Sequence, residues 1–197
     1  MHQLLAQRQI DDFARDGAVL VPGLFAGFVD LIAEGIEANM ADPGPYAAEN
    51  LKAGETGRFF DDYCNWTRFQ PFQEVIADSP VGEVAADLMG SQTAKLFHDH
   101  VLVKEPGNSV KTPWHHDQPY YIVDGTQSVS FWVPVDPVPA DRTVEYVAGS
   151  HRWGVDFKPT RFDGTDLYSA DESESVPDVD RKSTRLNSSH LVISYAV

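Results

Sequence analysis

His115, His116 and Asp117 stand in succession in the run TPWHHDQPYYIV. This stretch is read as a strand, and on a strand residues two apart share a face. His115 and Asp117 then point together, and His116 points away. One imidazole beside one carboxylate supplies two of the three protein ligands of the 2-His-1-carboxylate arrangement, which holds Fe(II) by one face. Its open positions suit dioxygen and a bidentate 2-oxo acid. The same pair also serves as a surface ion pair or a satisfied polar cluster. A zinc site is a further alternative: His98 and His100 share a face on the preceding predicted strand, and imidazole suits zinc as well as iron. Gln118, Tyr120 and Tyr121 adjoin the pair and can line a pocket, with one of the two tyrosine rings sent to each face. Lys104 ends its strand as a solvated charge or as an attractor for an anionic co-acid.

The elements that must position these groups follow from periodicity. Leu4, Leu5, Ile10 and Phe13 repeat at helical spacing and Gly17 offers a stop, which predicts a helix over 3–16. AVLVPG predicts a short strand. Phe25, Phe28, Val29, Ile32 and Ile36 predict a second helix to about Asn39, followed by a proline- and glycine-rich loop over 42–57. A third helical pattern over 72–89 is broken at Ser79-Pro80 and closed by Gly90. From Thr93 the texture turns to short β-type runs: AKLFHDHVLVK, TPWHHDQPYYIV, SVSFWVPV and TVEYVAGS. PGN, DGT and PVPADR separate them. Helices first and strands after predict an α+β fold, with helices packed on an antiparallel sandwich or barrel.

With 197 residues, 42% of them apolar, the chain can bury one core, and disordered or fibrous classes are excluded. A formal charge of −15 repels nucleic acid and anionic membrane surfaces. Cys64 is the single cysteine, so an internal disulfide framework is excluded and a reducing, cytoplasmic location is expected. The charged opening lacks the apolar core of a secretion signal, and no window is apolar enough to span a bilayer. Oligomeric state is not legible. The last stretch, DRKSTRLNSSHLVISYAV, breaks from the acidic text before it. Its first eleven residues are what a common sequencing adapter gives when translated in one frame. The expected organisation is a single domain over 1–179, truncated, with a non-native tail over 180–197 in which His190 is not recruited as a ligand.

Four motifs, FARDGAVLVPGLF, TPWHHDQPYY, SFWVPVDPV and EYVAGSHRWG, occur in an order and spacing that resemble the phytanoyl-CoA dioxygenase-like branch of the Fe(II)/2-oxoglutarate dioxygenases. The resemblance runs from about Ile10 to Phe162. It implies a double-stranded β-helix, or jelly roll, with N-terminal helices packed on it, incomplete at the C-terminus. It implies Fe(II) as cofactor, held by His115 and Asp117 as catalytic ligands, with 2-oxoglutarate as co-substrate, dioxygen as oxidant and a small organic molecule as substrate. Trp132 and His100 match positions beside the co-substrate, where Lys104 would join them. The implied reaction is hydroxylation of a C–H bond with release of succinate and CO2. The carboxylate of Asp117 argues against halogenation, since related halogenating enzymes carry a small residue there. The family's second histidine ligand and its co-substrate arginine fall where the foreign-looking tail stands. His151, in GSHRWG, matches a structural turn of the family and not a ligand. The alternatives are a jelly-roll module that binds metal or ligand without turnover, and an inactive truncated fragment.

Overall fold

The computed structural model describes residues 4–139, 141–168, 175–177, 179, 185–187 and 192–195. Helix α1, Gln7–Asp16, begins later than its apolar pattern, where the Gln9 side chain accepts the Ala6 N–H at 2.9 Å and opens the helix. Gly17 closes it at φ +83°, a left-handed conformation that glycine adopts without a Cβ penalty, and its N–H reaches the Phe13 carbonyl at 2.8 Å. Strand β1 is Ala18–Leu20. The next helix, α2, spans Val29–Ala41. Phe25 and Phe28, at the head of its pattern, lie in the preceding turns with their rings edge-on at 6.5 Å. Strands β2, Ala48–Glu49, and β3, Phe59–Tyr63, follow. Helices α3, Gln70–Asp78, and α4, Val81–Met89, break at Ser79-Pro80 as the proline demands.

Strands β4, His100–Lys104, β5, Val129–Trp132, and β6, Glu145–Val147, are shorter than the β-type runs that contain them. The run over 112–123 is not a strand. It is irregular backbone leading into a 3-10 turn at Gln118–Tyr120, with Pro113 and Pro119 removing two donors that a ladder would need. Strands β7, Arg185–Asn187, and β8, Val192–Tyr195, lie in the stretch expected to form a foreign tail, to which no element had been assigned. Its LVISYAV text is β-branched and aromatic, which suits a strand whatever its origin.

Among the described residues all pairings are antiparallel, in three small sheets: β1–β8–β5, β2–β3–β4 and β6–β7. Strands β1, β2 and β3 alternate with the helices along the chain, which corrects the expected order of helices first and strands after; strands without intervening α-helix follow only from β4 on. Leu5, Phe13, Val19, Val21, Phe25, Val84 and Leu88 form one apolar cluster, against which Val129, Phe131 and Val133 pack from the β5 segment. Phe60, Phe72 and Val101 form a second. Beside it, Asn39, Asp62 and Asn65 are fully buried. Asp62 Oδ2 accepts from Asn39 Nδ2 at 2.8 Å and from the Gly44 N–H at 2.7 Å, and Oδ1 accepts the Tyr63 N–H at 2.9 Å. Burial pushes the Asp62 carboxyl up, but these donors outweigh it and hold it below the usual range. Gly44 is needed here, because a Cβ would lie 2.4 Å from Asn65 Oδ1. Among the described residues no helix is long and apolar enough to cross a membrane.

Candidate metal centre

His115 and Asp117 meet despite the missing strand. Asp117 takes helical dihedrals (φ −78°, ψ −31°) as the cap of the 3-10 turn, which folds its carboxylate back toward His115. Nε2 and Oδ1 are 3.4 Å apart, and the two side chains are 34% and 31% exposed, so the pair is open to a ligand from solvent. His115 Nδ1 lies 2.7 Å from the Pro113 carbonyl. A carbonyl only accepts, so Nδ1 carries a proton; Nε2 carries a second one toward Asp117 when the ring is charged, and on losing it would offer its lone pair to a metal. The other carboxylate oxygen, Oδ2, accepts from Ser130 Oγ at 3.0 Å.

The electrostatics agree. Burial disfavours the charged imidazolium, but Asp117 and the Pro113 carbonyl outweigh it and raise His115 above its ordinary value. Burial pushes Asp117 up, but donors on His115, Ser130 and Tyr121 hold it low, in the anionic form. A ring nitrogen fixed by a carbonyl and an anionic oxygen fixed by a hydroxyl form the donor set a divalent ion such as Fe(II) takes, with outer partners setting tautomer and orientation. The residues present therefore fit two of the three protein ligands. Among the described residues, no group of three His, Cys, Asp or Glu side chains is placed to share one ion. The zinc alternative built on His98, His100 and the 115–117 group is not assembled.

His116 points away from the pair. It is 8% exposed, its Nε2 accepts the Phe157 N–H at 2.8 Å, and burial holds its pKa below the ordinary imidazole value. The expectation that only one tyrosine ring faces the pair is corrected. Tyr120 sets its ring edge-on to His115 at 5.7 Å and exchanges hydrogen bonds with Thr160, donating to the carbonyl at 2.7 Å and accepting the N–H at 2.9 Å. The Tyr121 hydroxyl stands at Asp117 and Ser130, and burial with the Asp117 charge raises its pKa well above the ordinary phenol. Because the turn is 3-10 and not extended, successive residues do not alternate faces. Gln118, Tyr121, Asp124, Asp156, Phe157 and Tyr168 border a shallow cleft beside the pair.

The remaining candidates separate. Trp132 and Ser130 are two apart on β5 and share a face, while Val129 and Phe131 pack in the apolar cluster on the other. Trp132 therefore stands on the metal-pair side of its strand. His100 is paired with Asp61 across β3–β4, and the ring nearer the centre is that of His98, 5.4 Å from Tyr121. The Lys104 ammonium is taken by the Val110 carbonyl and the face of Phe59, 4.6 Å away, and burial lowers its pKa. His151 packs on the end of α1, its Nε2 3.3 Å from the Ala14 carbonyl. His190 lies outside the described residues. Ser130 was missed: within SVSFWVPV it is one small polar residue of a strand, and nothing local marks its partner.

The sequence model described as phytanoyl-CoA dioxygenase (PhyH) matches residues 13–186. No curated protein is similar to the chain at a significant level. Among solved structures, the fold is similar to that of the non-heme alpha ketoglutarate dependent epimerase SnoN from nogalamycin biosynthesis, at TM-score 0.71 and 21% identity. That match covers 96% of this chain and 71% of SnoN, a protein also solved in complex with Fe3+, alpha ketoglutarate and nogalamycin RO. The non-heme alpha ketoglutarate dependent carbocyclase SnoK, from the same biosynthesis, is similar at TM-score 0.70 and 16% identity, over 98% of this chain and 75% of SnoK. AviO1 from Streptomyces viridochromogenes Tue57 is similar at TM-score 0.68 and 16% identity, over 100% of this chain and 86% of AviO1.

Proposed function

The chain belongs to the phytanoyl-CoA dioxygenase family, enzymes that use Fe(II) and 2-oxoglutarate, and from that membership we propose that it hydroxylates a C–H bond of a small organic substrate with dioxygen. The observation that carries the proposal is the His115–Asp117 pair, with the Pro113 carbonyl on Nδ1 and Ser130 on Oδ2. Fe(II) held there would supply the redox chemistry that couples decarboxylation of 2-oxoglutarate to succinate and CO2 with substrate oxidation. The protein's own part is positional. His115 presents Nε2, Asp117 presents Oδ1 as an anion, and the Tyr120 ring stands edge-on to His115 at 5.7 Å. Trp132, on the Ser130 face, is the best-supported neighbour for the co-substrate. His100 and Lys104 remain proposed contacts, and each would have to give up Asp61 or Val110 to make them. The jelly-roll assignment rests on the family and on the similarity to SnoN and SnoK. Hydroxylation, in preference to the epimerisation and carbocyclisation in those proteins' names, rests on family membership; the carboxylate at 117 argues only against halogenation. A cytoplasmic location rests on the single cysteine.

The test incubates the protein in air with Fe(II) and 2-oxoglutarate and measures succinate by mass spectrometry. Succinate that requires iron and is lost in Asp117→Ala is expected. Succinate formed without iron would sink the proposal. A second reading, a module that binds metal without turnover, is favoured by one observation: no third ligating group joins the pair among the described residues. Fe(II) binding with no succinate would select it.

A further inference from the structure

The Asp117 carboxylate is held from a second element. Ser130 Oγ donates to Oδ2 at 3.0 Å across 13 positions of sequence, while Oδ1 faces His115 Nε2 at 3.4 Å. The strand sets the side on which Ser130 lies. Its neighbours Val129 and Phe131 are packed in the apolar cluster on the opposite face of β5, and the register Ser130↔Ser194 pins the strand. A one-residue slip would expose both apolar side chains and withdraw the hydroxyl. The two oxygens of Asp117 are thus made unequal by a rigid strand, independently of the loop that carries the residue.

We propose that Ser130 is a positioning residue that occupies Oδ2 and leaves Oδ1 as the one metal-facing oxygen of Asp117. A carboxylate free to swing can ligate through both oxygens and fill a position that a co-substrate needs. The Ser130 hydrogen bond opposes that, because two-oxygen ligation would require Oδ2 to leave its donor. This inference rests on His115 and Asp117 being metal ligands, so its test separates the two.

The experiment compares the full chain with Ser130→Thr and Ser130→Val, two side chains of one shape that differ by the hydroxyl and both suit a strand. The probe is Co(II) alone, in the absence of 2-oxoglutarate. Affinity is read by calorimetry and coordination number by the visible absorption of the bound ion. The valine variant is expected to bind about 10- to 100-fold more weakly, the range for losing an outer-shell partner, with a spectrum shifted toward higher coordination. The threonine variant is expected to restore both. Wild type and Ser130→Val that match in affinity and spectrum overturn the role of Ser130 alone. Wild type that binds Co(II) no better than Asp117→Ala overturns the metal assignment, and the role of Ser130 with it.

Discussion

The apolar cluster around α1 and the segment that carries His115 and Asp117, the proposed metal pair, are ordered by different forces. In the first, Phe13 and Val84 are fully buried, and Val19 and Leu88 nearly so, within elements whose own backbone bonds are regular, and Leu5 joins them from just ahead of α1. Order there comes from area removed from water, which is non-directional and tolerates exchange of one apolar side chain for another. Residues 113–121 make no sheet ladder. They are held by single hydrogen bonds from distant chain: Phe157 to His116, Thr160 to Tyr120, Tyr168 to the Pro119 carbonyl at 2.7 Å and Ser130 to Asp117. Such bonds are directional, so they fix where an atom points while contributing little to global stability. A centre that must present one nitrogen and one oxygen needs the second kind of order, supported by the first.

Four measurements break or sharpen that contrast. Asp117→Ala is expected to abolish specific Co(II) binding and iron-dependent succinate formation, while its urea unfolding free energy moves by less than about 1 kcal/mol, the pair being partly exposed. Phe13→Ala is expected to cost about 3–5 kcal/mol in the same unfolding experiment, with Co(II) affinity per folded molecule unchanged. Equal stability losses in the two variants would refute the division. Asp62→Asn, in the buried knot beside the second cluster, is expected to cost about 1–3 kcal/mol, since either amide orientation sets an N–H against the donors of Asn39 and Gly44 or of Tyr63. Its pH dependence has a definite sign. The Asp62 pKa is depressed in the fold, so its contribution is complete above the unfolded carboxylate value of about 3.9 and is lost as pH falls through the lower folded value. Unfolding midpoints of wild type and Asp62→Asn should therefore converge in acid. Tyr120→Phe removes one hydroxyl from the Thr160 contact and is expected to cost about 0.5–1.5 kcal/mol, read from the denaturant midpoint.

Helix α1 and the α3–α4 pair were legible because they carry local punctuation: Gly17, Pro80 and Gly90 stop or break a helix by their own covalent geometry. Strand β3 was not, since FFDDY hides a fully buried aspartate whose burial is offset by Asn39 and Gly44 from earlier in the chain. The run around His115 was read as a strand from its β-rich composition. Its two prolines carried the contrary signal. The pairing of His115 with Asp117 survived that error, because two residues apart they can meet on a strand or through a turn. The facing of Tyr120 and Tyr121 did not survive, because it depends on the alternation that only a strand imposes.

The sequence by itself determined the family, the stops that bound α1 and the α3–α4 pair, and the juxtaposition of His115 with Asp117. All three are carried by residue type at short spacing, where covalent geometry leaves few choices. Tertiary structure alone decided that His116 turns to Phe157, that Lys104 and His100 are taken by Val110 and Asp61, and that Ser130 reaches Asp117. Those contacts join groups up to tens of positions apart. Their formation depends on where the packed strands and loops come to rest, and no local pattern encodes that.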